Sequence, residues 1–309
     1  MHVVTFVPPG GDERSGVIDG GTVVELAPGD TVLDLLDRGE LVTACRDALD
    51  GPGRTHALDE VELLAPLRPR SVRDCSAFHQ HLRNCGGDAS TVLDARHSDF
   101  PAFYFSNPAA VIGPADPVPV APGSSMFDFE LEVCAVIGTS GRNIAPEDAG
   151  NHIAGYTIMI DWSARDLQLR ERPLGLGPTK GKDTATTLGP ALVTRDALEP
   201  FRSGKGFALG MVAELNGEQV TAGRWDAVDW DFADIIAYAS RGTRVRAGDV
   251  IGSGTVPEGC LYEHYKLGSD RFRGWLRPGD EVRFRVERIG EITQTVRAAD
   301  PLHPLSSGY

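Results

Sequence analysis

The chain has 309 residues, with 44 acidic against 30 basic side chains and a formal net charge of −14. This acidic balance argues against binding to nucleic acids or anionic membranes, because affinity for phosphate polymers comes from clustered Lys and Arg. The hydrophobic fraction of 41% is ordinary for a globular protein and too high for a disordered one.

The cysteine pattern and the first residues indicate a cytoplasmic protein. Five cysteines are scattered without a CxxC pair, which argues against a disulfide framework and favours a reducing compartment. The start MHVVTFVPPGG lacks the cationic region and long apolar run of a signal peptide. No stretch approaches the ~20 apolar residues that a membrane helix needs. We therefore predict a soluble, cytoplasmic protein.

The first 66 residues are predicted to form a small α/β domain. HVVTFV and GTVVEL are typical of strands, and TVLDLLDRG and LVTACRDALD of short helices. The proline-rich segment that follows VELL, with Pro66 and Pro69, indicates a linker. We predict one domain over 1–66 and a second over 67–309.

The second domain is predicted to be rich in strands. The strand segments are FELEVCAVIG, AGYTIMI, FALGMVAELNGEQV, DVIGSGTV and EVRFRVERIG, and Asn216-Gly217 is a strong hairpin signal. The helix segments are PEDAGNHIA, SARDLQLRE and FADIIAYASRG. Because strands outnumber helices and hairpins replace a repeated βαβ pattern, we predict an α+β fold that is mainly β.

Three acidic residues alternate at the start of one strand segment. Asp128, Glu130 and Glu132 are two positions apart, so on a strand they share one face. A row of this kind is most often a solvated strand edge. Here the strand continues as VCAVIG and enters a core, where neighbouring carboxylates need a cation. Oxygen ligands select a hard cation such as Mg²⁺ or Ca²⁺.

A second group of polar residues follows the apolar run YTIMI. Asp161 is predicted at the end of that strand, where a helix begins, and Arg165 and Gln168 lie on one face of the helix. One interpretation is an N-capping Asp with a surface Arg. The other is a catalytic site, since such residues accumulate at strand ends.

Three further segments contain polar residues with more than one interpretation. Lys182 lies in the Gly-rich stretch GLGPTKGKDTATTLGP, which is a surface loop or part of a site. Asp74 and His81 are seven positions apart and would lie near one face of a helix, with His81 suited to act as a general base. The glycines of GSGT, residues 252–255, form a tight turn or let the backbone approach a ligand closely.

The order of these motifs resembles the fumarylacetoacetate hydrolase family over roughly residues 66–290. The segments FDFELEVCAVIG, GYTIMIDWSARDLQ, GKDTATTLGP and GDVIGSGT carry the resemblance. It implies a mixed β-sandwich roll that binds a divalent metal and forms a homodimer. Residues 1–66 match the leading domain of the family only in position and size.

The resemblance also implies a role for individual residues. It implies four metal ligands: Asp74, Glu130, Glu132 and Asp161. It implies a general base and its orienting carboxylate, His81 and Glu263, together with groups that hold the oxyanion, Arg165, Gln168 and Lys182. It implies substrate contacts from Gly254, Thr255 and Tyr104. Asn107 stands where many members that act on small acids have a Lys, which removes one partner for a substrate carboxylate.

On this basis we predict hydrolytic cleavage of a carbon–carbon bond in a 1,3-dicarbonyl acid, such as an acylpyruvate or a fumarylacetoacetate-like acid, or in a related β-diketone. Mg²⁺ is the expected cation, with Mn²⁺ and Ca²⁺ as alternatives. The expected partners are this small molecule and a second copy of the chain. One alternative is decarboxylation or tautomerisation of a 2-oxo acid, which needs an enolate but no attacking water. The other is a catalytically silent metal-binding scaffold.

Overall fold

The computed structural model describes residues 1–51 and 53–306. Strands dominate it and the helices are short, so the predicted α+β, mainly β class is confirmed. The α-helices of the described residues are Val32–Arg38, Leu41–Asp50, His79–Cys85, Pro146–Ala149, Arg165–Glu171, Arg195–Leu198, Phe232–Ala239 and Leu261–Leu267.

A large open sheet forms the centre of the fold. In order across the sheet its main strands are Thr55–Ala57, Thr22–Glu25, Arg14–Asp19, His2–Val7, Thr186–Thr194, Ile153–Asp161, Leu131–Ile137, Val250–Gly252, Val72–Cys75 and Phe103–Ser106. Glu62–Leu63 and Val111–Ile112 pair with the fourth and fifth of these. Most pairs are antiparallel, but Val250–Gly252 runs parallel to Val72–Cys75, so the sheet is mixed.

A second sheet has the order Glu218–Arg224, Gly210–Leu215, Glu281–Val286, Gly290–Arg297 and Val118–Pro119. Its first two strands form the hairpin predicted from Asn216-Gly217, and both turn residues have positive φ, at 51° and 81°. Three short ribbons pair Phe127–Asp128 with Ser163–Ala164, Gly141–Arg142 with Arg244–Val245, and Arg202–Ser203 with Gly206–Phe207.

The strand Leu131–Ile137 is buried on both faces. Leu131 and Val133 pack in the core that also contains Phe284 of the second sheet. Cys134 and Val136 pack in a second core, with side chains from the helix Val32–Arg38. Packing on both faces explains why this segment is a nearly continuous apolar run in the sequence.

The N-terminal strands continue the large sheet. His2–Val7 pairs with Thr186–Thr194, with His2 opposite Val193 and Val3 opposite Leu192. Leu35 of the first helix packs in the same core as Leu188 and Leu192. The domain boundary at residue 66 stays a prediction, as does the homodimer.

The structure differs from the sequence analysis in the positions of two residues and in two elements that were not predicted. Asp74 and His81 do not share a helix, because Asp74 lies on the strand Val72–Cys75 and His81 on the helix His79–Cys85. The strand Thr186–Thr194 and the helix Leu261–Leu267 had no clear local signal. Within the part of the chain that the structure describes, no helix has the length and apolar character needed to cross a membrane.

Candidate active site

Four buried carboxylates converge where neighbouring strands of the large sheet meet. Asp74, Glu130, Glu132 and Asp161 each offer one oxygen, and these oxygens all lie within 4.8 Å of one another. Asp74, Glu132 and Asp161 lie on three strands of this sheet, and Glu130, which directly precedes the strand Leu131–Ile137, exchanges backbone hydrogen bonds of 3.1 Å with Asp161. The sequence analysis assigned these four residues as metal ligands, and the fold brings all four together.

A glycine on the intervening strand makes room for this cluster. Gly252 pairs with Cys134 on one side and with Asp74 on the other. A Cβ at Gly252 would lie 2.7 Å from Oδ1 of Asp74 and 2.8 Å from Oε2 of Glu132. Any larger residue would therefore fill the space between the two carboxylates.

The donor set fits a hard divalent cation. Oδ1 of Asp74, Oε1 of Glu132 and Oδ1 of Asp161 are buried and have no hydrogen-bond partner among the described residues. Unpartnered buried carboxylate oxygens are costly unless a cation coordinates them. Mg²⁺, Mn²⁺ and Ca²⁺ all prefer such oxygen ligands.

The pKa shifts of the four carboxylates also favour a bound cation. Burial, followed by the charges of neighbouring carboxylates, raises the pKa of Glu132 well above its usual range. Burial also raises the pKa of Asp74 and of Asp161. For Glu130, burial raises the pKa, but Arg165 and Lys182 outweigh it and hold the pKa well below normal. Of the four ligands only Glu130, which contacts both cations, keeps a pKa below its usual value, so the cluster as a whole is short of positive charge.

Two buried cations contact the cluster from one side. Lys182 Nζ donates to Glu130 and to Oδ2 of Asp161, the latter at 2.5 Å. Arg165 donates from Nη1 to Glu130 at 2.7 Å and to Oε1 of Gln168 at 3.2 Å. Arg165 also pairs with Asp128, so these two cations face five buried carboxylates, and a divalent cation would offset part of the remaining negative charge.

The predicted substrate contacts lie against the carboxylates. The Tyr104 hydroxyl lies within hydrogen-bond distance of Asp74, at 2.7 Å, and of Asp161, and its single hydrogen donates to one of them at a time. The Gly254 amide donates to Oε2 of Glu132 at 2.9 Å, and Thr255 is buried beside it. These contacts orient the proposed metal ligands, and a direct contact with substrate stays a prediction for all three residues.

His81 and Glu263 form a buried pair. Glu263 lies on the helix Leu261–Leu267, and its Oε1 is 2.7 Å from Nδ1 of His81. Its Oε2 accepts from Asn84 Nδ2 at 2.6 Å and from the Glu258 amide at 2.9 Å. Burial lowers the pKa of His81, but the charge of Glu263 outweighs it, so the pKa of His81 is raised well above its usual value.

A cavity of 590 Å³ is lined by both His81 and the proposed metal ligand Glu130. Its lining also includes Arg165, Gln168 and Arg172. A cavity of this size lies within the range typical of small-molecule sites. The predicted base and one predicted metal ligand therefore face the same space.

Asp128 has a different role from the one its spacing indicates. Asp128 ends the short strand Phe127–Asp128, and the break at Phe129 and Glu130 interrupts the alternation, so Asp128 does not join Glu130 and Glu132. Its carboxylate accepts from Arg165 Nε at 2.8 Å and from the Leu261 amide at 2.8 Å. Asp128 thus fixes the position of the Arg165 guanidinium and of the first turn of the helix Leu261–Leu267, which carries Glu263.

Asn84 is a further residue that sequence reasoning missed. It lies three positions after His81 on the same helix and fixes the second oxygen of Glu263. The helical spacing of His81 and Asn84 was the available signal, but it has meaning only once Glu263 is known to face that helix.

Comparison with known proteins identifies the family. The family model for the C-terminal region of fumarylacetoacetate hydrolases matches residues 70–297. The chain belongs to the fumarylacetoacetate hydrolase family. The resemblance stated from the sequence motifs is therefore confirmed.

Individual relatives cover most of the chain. It is 31% identical to human mitochondrial oxaloacetate tautomerase FAHD2A, over 90% of this chain and 85% of that protein. It is 30% identical to oxaloacetate tautomerase YisK of Bacillus subtilis, over 78% of this chain and 75% of that protein. A solved fumarylacetoacetate hydrolase from Exiguobacterium antarcticum superposes with a TM-score of 0.77 at 28% identity, covering 96% of this chain and all of that one.

Proposed function

We propose that this chain is a divalent-metal-dependent enzyme that hydrolyses a carbon–carbon bond in a 1,3-dicarbonyl acid of the acylpyruvate type. The observation that supports this proposal is the shared cavity: His81, oriented by Glu263, and the carboxylate cluster, represented by Glu130, line one space. Hydrolysis requires a general base that activates water and, next to it, a site that polarises the carbonyl group under attack.

Asp74, Glu130, Glu132 and Asp161 would hold the cation, for which we propose Mg²⁺. A bound divalent cation polarises the two oxygens of a 1,3-dicarbonyl and favours the enolate form. Tyr104 and the Gly254 amide keep three of these carboxylates in position through the hydrogen bonds described above.

His81 acts as the general base in this proposal. It takes a proton from water, and the resulting hydroxide adds to the acyl carbonyl carbon. The carbon–carbon bond then breaks, the acyl group leaves as a carboxylate, and the other carbon leaves as the enolate of a 2-oxo acid, which takes up a proton. Glu263 fixes the ring of His81 and stabilises its protonated form.

Lys182 and Gln168 have donors left to stabilise the developing oxyanion. Lys182 has three N–H donors, and two are used by Glu130 and Asp161. Gln168 accepts from Arg165 through Oε1, which leaves its amide NH₂ for the cavity. Such donors each contribute about 10²–10³ in rate when they face the oxyanion.

Arg172 supports a substrate that carries a carboxylate. It lines the cavity, and within residues 1–51 and 53–306 it has no hydrogen bond or salt bridge to an acidic side chain. By contrast, Asn107, the neutral residue at the position where the family resemblance leads us to expect a Lys, donates to the backbone carbonyl of Asp183 at 3.3 Å. We propose that Arg172 supplies the positive charge that Asn107 lacks.

A second candidate function is tautomerisation of a 2-oxo diacid. The names of the human and Bacillus relatives, both oxaloacetate tautomerases, favour it. This reaction needs the same enolate and a proton donor and acceptor, for which His81 is suited, but no attacking water.

A substrate panel separates the two candidates. Purified protein with Mg²⁺ is assayed with acylpyruvates, a fumarylacetoacetate-like acid, neutral β-diketones, and oxaloacetate in its enol and keto forms. Hydrolysis is recorded as equal yields of a carboxylic acid and a 2-oxo acid, and tautomerisation as interconversion of the two oxaloacetate forms without new acids. Turnover of oxaloacetate forms without cleavage of any acylpyruvate would reject the hydrolase proposal in favour of the tautomerase.

A further inference from the structure

Two cysteines flank His81 and have no part in the proposed reaction. Cys85 Sγ lies 3.9 Å from Nδ1 and 3.7 Å from Nε2 of His81. Cys260 Sγ lies 3.8 Å from Oε1 of Glu263. One ligand atom from each of His81, Cys85 and Cys260 lies within 4.8 Å of the other two.

One separation in the cluster is close to the edge of a tetrahedral zinc site. Zinc–sulfur and zinc–nitrogen bonds of about 2.3 and 2.0 Å place sulfur and nitrogen about 3.5 Å apart across a tetrahedral angle. Cys85 Sγ lies 3.7 Å from Nε2 of His81, but it also lies 3.9 Å from Nδ1 and therefore over the ring, so the Cys85 side chain has to rotate to meet an ion bound in the plane of the ring. Three ligands of this kind leave a fourth position for water.

The ligand chemistry distinguishes this cluster from the carboxylates. Sulfur and imidazole ligands select zinc and other soft or borderline ions, whereas the four carboxylates select hard ions such as Mg²⁺. Cys85 and His81 line the cavity, which gives an ion a route from solvent, while Cys260 is buried behind them. The two clusters can therefore hold different ions at the same time.

We propose that His81, Cys85 and Cys260 form an inhibitory Zn²⁺ site. Binding displaces to solvent one proton from each thiol and, where the His81 ring is protonated, one proton from the imidazolium, and it involves no change of oxidation state. The ion takes a nitrogen of His81, so that the imidazole no longer accepts a proton from water or substrate. The inhibition rests on the proposed function of His81, whereas the binding of Zn²⁺ does not.

The binding is tested with the full-length protein kept saturated with Mg²⁺. Cd²⁺ or Co²⁺ replaces Zn²⁺ as a spectroscopic probe, since both give charge-transfer absorption when thiolates coordinate them. We expect one equivalent to produce this band in the wild type. Cys85→Ser and Cys260→Ser should lose the band and bind Zn²⁺ roughly 100-fold more weakly, because even supporting residues of metal sites contribute 10- to 100-fold. Cys45→Ala, in the helix Leu41–Asp50, is the matched control and should keep the band.

Protection of thiols provides a measurement that needs no variant. Zn²⁺ should protect Cys85 and Cys260 of the wild type from alkylation, as located by mass spectrometry, and excess Mg²⁺ should not. Absence of the absorption band and of this protection, or a band that persists in both serine variants, would overturn the site. Zn²⁺ inhibition that is equally strong in wild type and both variants would show that Zn²⁺ acts at the carboxylates instead. Binding without any active substrate in the panel would leave the site standing and count against the proposed function only.

Discussion

Glu263 connects several groups of the candidate site. It contacts His81, Asn84 and the amide of Glu258, and its charge raises the pKa of His81. A raised pKa favours the imidazolium form in the free protein, so the neutral base becomes available only as the pH rises.

Glu263→Gln removes the charge that stabilises the imidazolium. The pKa of His81 should fall, and the acid limb of kcat/KM against pH should move to lower pH. The plateau rate should also fall, by about 10²–10⁴, because the amide does not support the protonated ring. Glu258→Gln is the matched control, since that side chain pairs with Arg271 rather than with His81. An acid limb that stays in place in Glu263→Gln would contradict the pairing.

Arg172→Met tests the proposed partner of the substrate carboxylate. Loss of a charged hydrogen bond is expected to raise KM for an acylpyruvate roughly 10- to 100-fold, with Mg²⁺ affinity unchanged. The same variant should leave KM for a neutral β-diketone unaltered. An equal rise for both substrates would indicate a disturbed cavity rather than a lost carboxylate contact.

Glu130, Glu132 and Asp161 were predictable because they lie in the segments that carry the family resemblance, whereas Asp74 and His81 lie outside those segments and were implied by the resemblance alone. The role of Asp128 could not be predicted, since its alternation with Glu130 wrongly places it in the cluster. The reason is a break at Phe129 and Glu130, which lie outside the regular strands. Arg172 and Cys85 had no signal either, because their relation to the site arises only where the chain closes around the cavity.

At the scale of elements, both helices that carry the proposed acid–base pair depend on distant aspartates. The N-cap residues of the helices His79–Cys85 and Leu261–Leu267 are Phe78 and Cys260. Neither side chain accepts a hydrogen bond from the first turn of its helix. Asp229 accepts from the His79 amide at 2.7 Å, and Asp128 accepts from the amides of Leu261 and Tyr262. These contacts satisfy backbone donors that have no partner within their own helix.

Asp229→Ala is expected to lower the free energy of unfolding by about 1 kcal/mol through loss of this cap. Turnover should fall with it, because the helix that holds His81 loses its fixed start. Asp229→Asn keeps an acceptor and should stay close to the wild type in urea denaturation. Equal stability of the alanine variant and the wild type would show that the contact contributes nothing.

These dependencies explain which elements sequence reasoning could find. The hairpin at Asn216-Gly217 was predictable because its signal is local. The helix Leu261–Leu267 was not, since its cap comes from Asp128. The strand Thr186–Thr194 contains Pro190, which argues against a central strand. The structure accommodates it where the register with Ile153–Asp161 shifts.

At the scale of the whole molecule, part of the charge of −14 is concentrated in the buried cluster. Four carboxylates from separate segments repel one another, and the folded chain holds them together with only Lys182 and Arg165 as direct cationic partners among the described residues. A divalent cation should therefore stabilise the native state more than the unfolded chain, in which the ligands are dispersed.

Mg²⁺ is expected to raise the stability of chelator-treated protein by about 2.7 kcal/mol at a concentration of 100 times its Kd. Urea denaturation with and without Mg²⁺ measures this difference. Glu132→Gln removes one ligand and should reduce the gain, whereas Glu218→Gln on the exposed surface should leave it intact. An equal gain in the free energy of unfolding in the wild type and both variants would show that Mg²⁺ stabilises the protein outside the carboxylate cluster.

The fold class could be predicted from the sequence, but the pairing of distant strands could not. The alternating segments and the hairpin indicated a mainly β fold, and the motif order indicated the family. The pairing of His2–Val7 with Thr186–Thr194 could not be deduced, because it joins segments that lie about 180 residues apart and have no complementary pattern of their own.

The central claim is that the carboxylate cluster and His81 act together in one metal-dependent site. The most direct test is turnover of an acylpyruvate by chelator-treated protein, before and after addition of Mg²⁺, in the wild type and in His81→Ala. We predict that Mg²⁺ restores the wild type, and that His81→Ala binds Mg²⁺ with unchanged affinity but turns over about 10²–10⁴ times more slowly. Full activity of the wild type without metal, or wild-type turnover by His81→Ala, would contradict the claim.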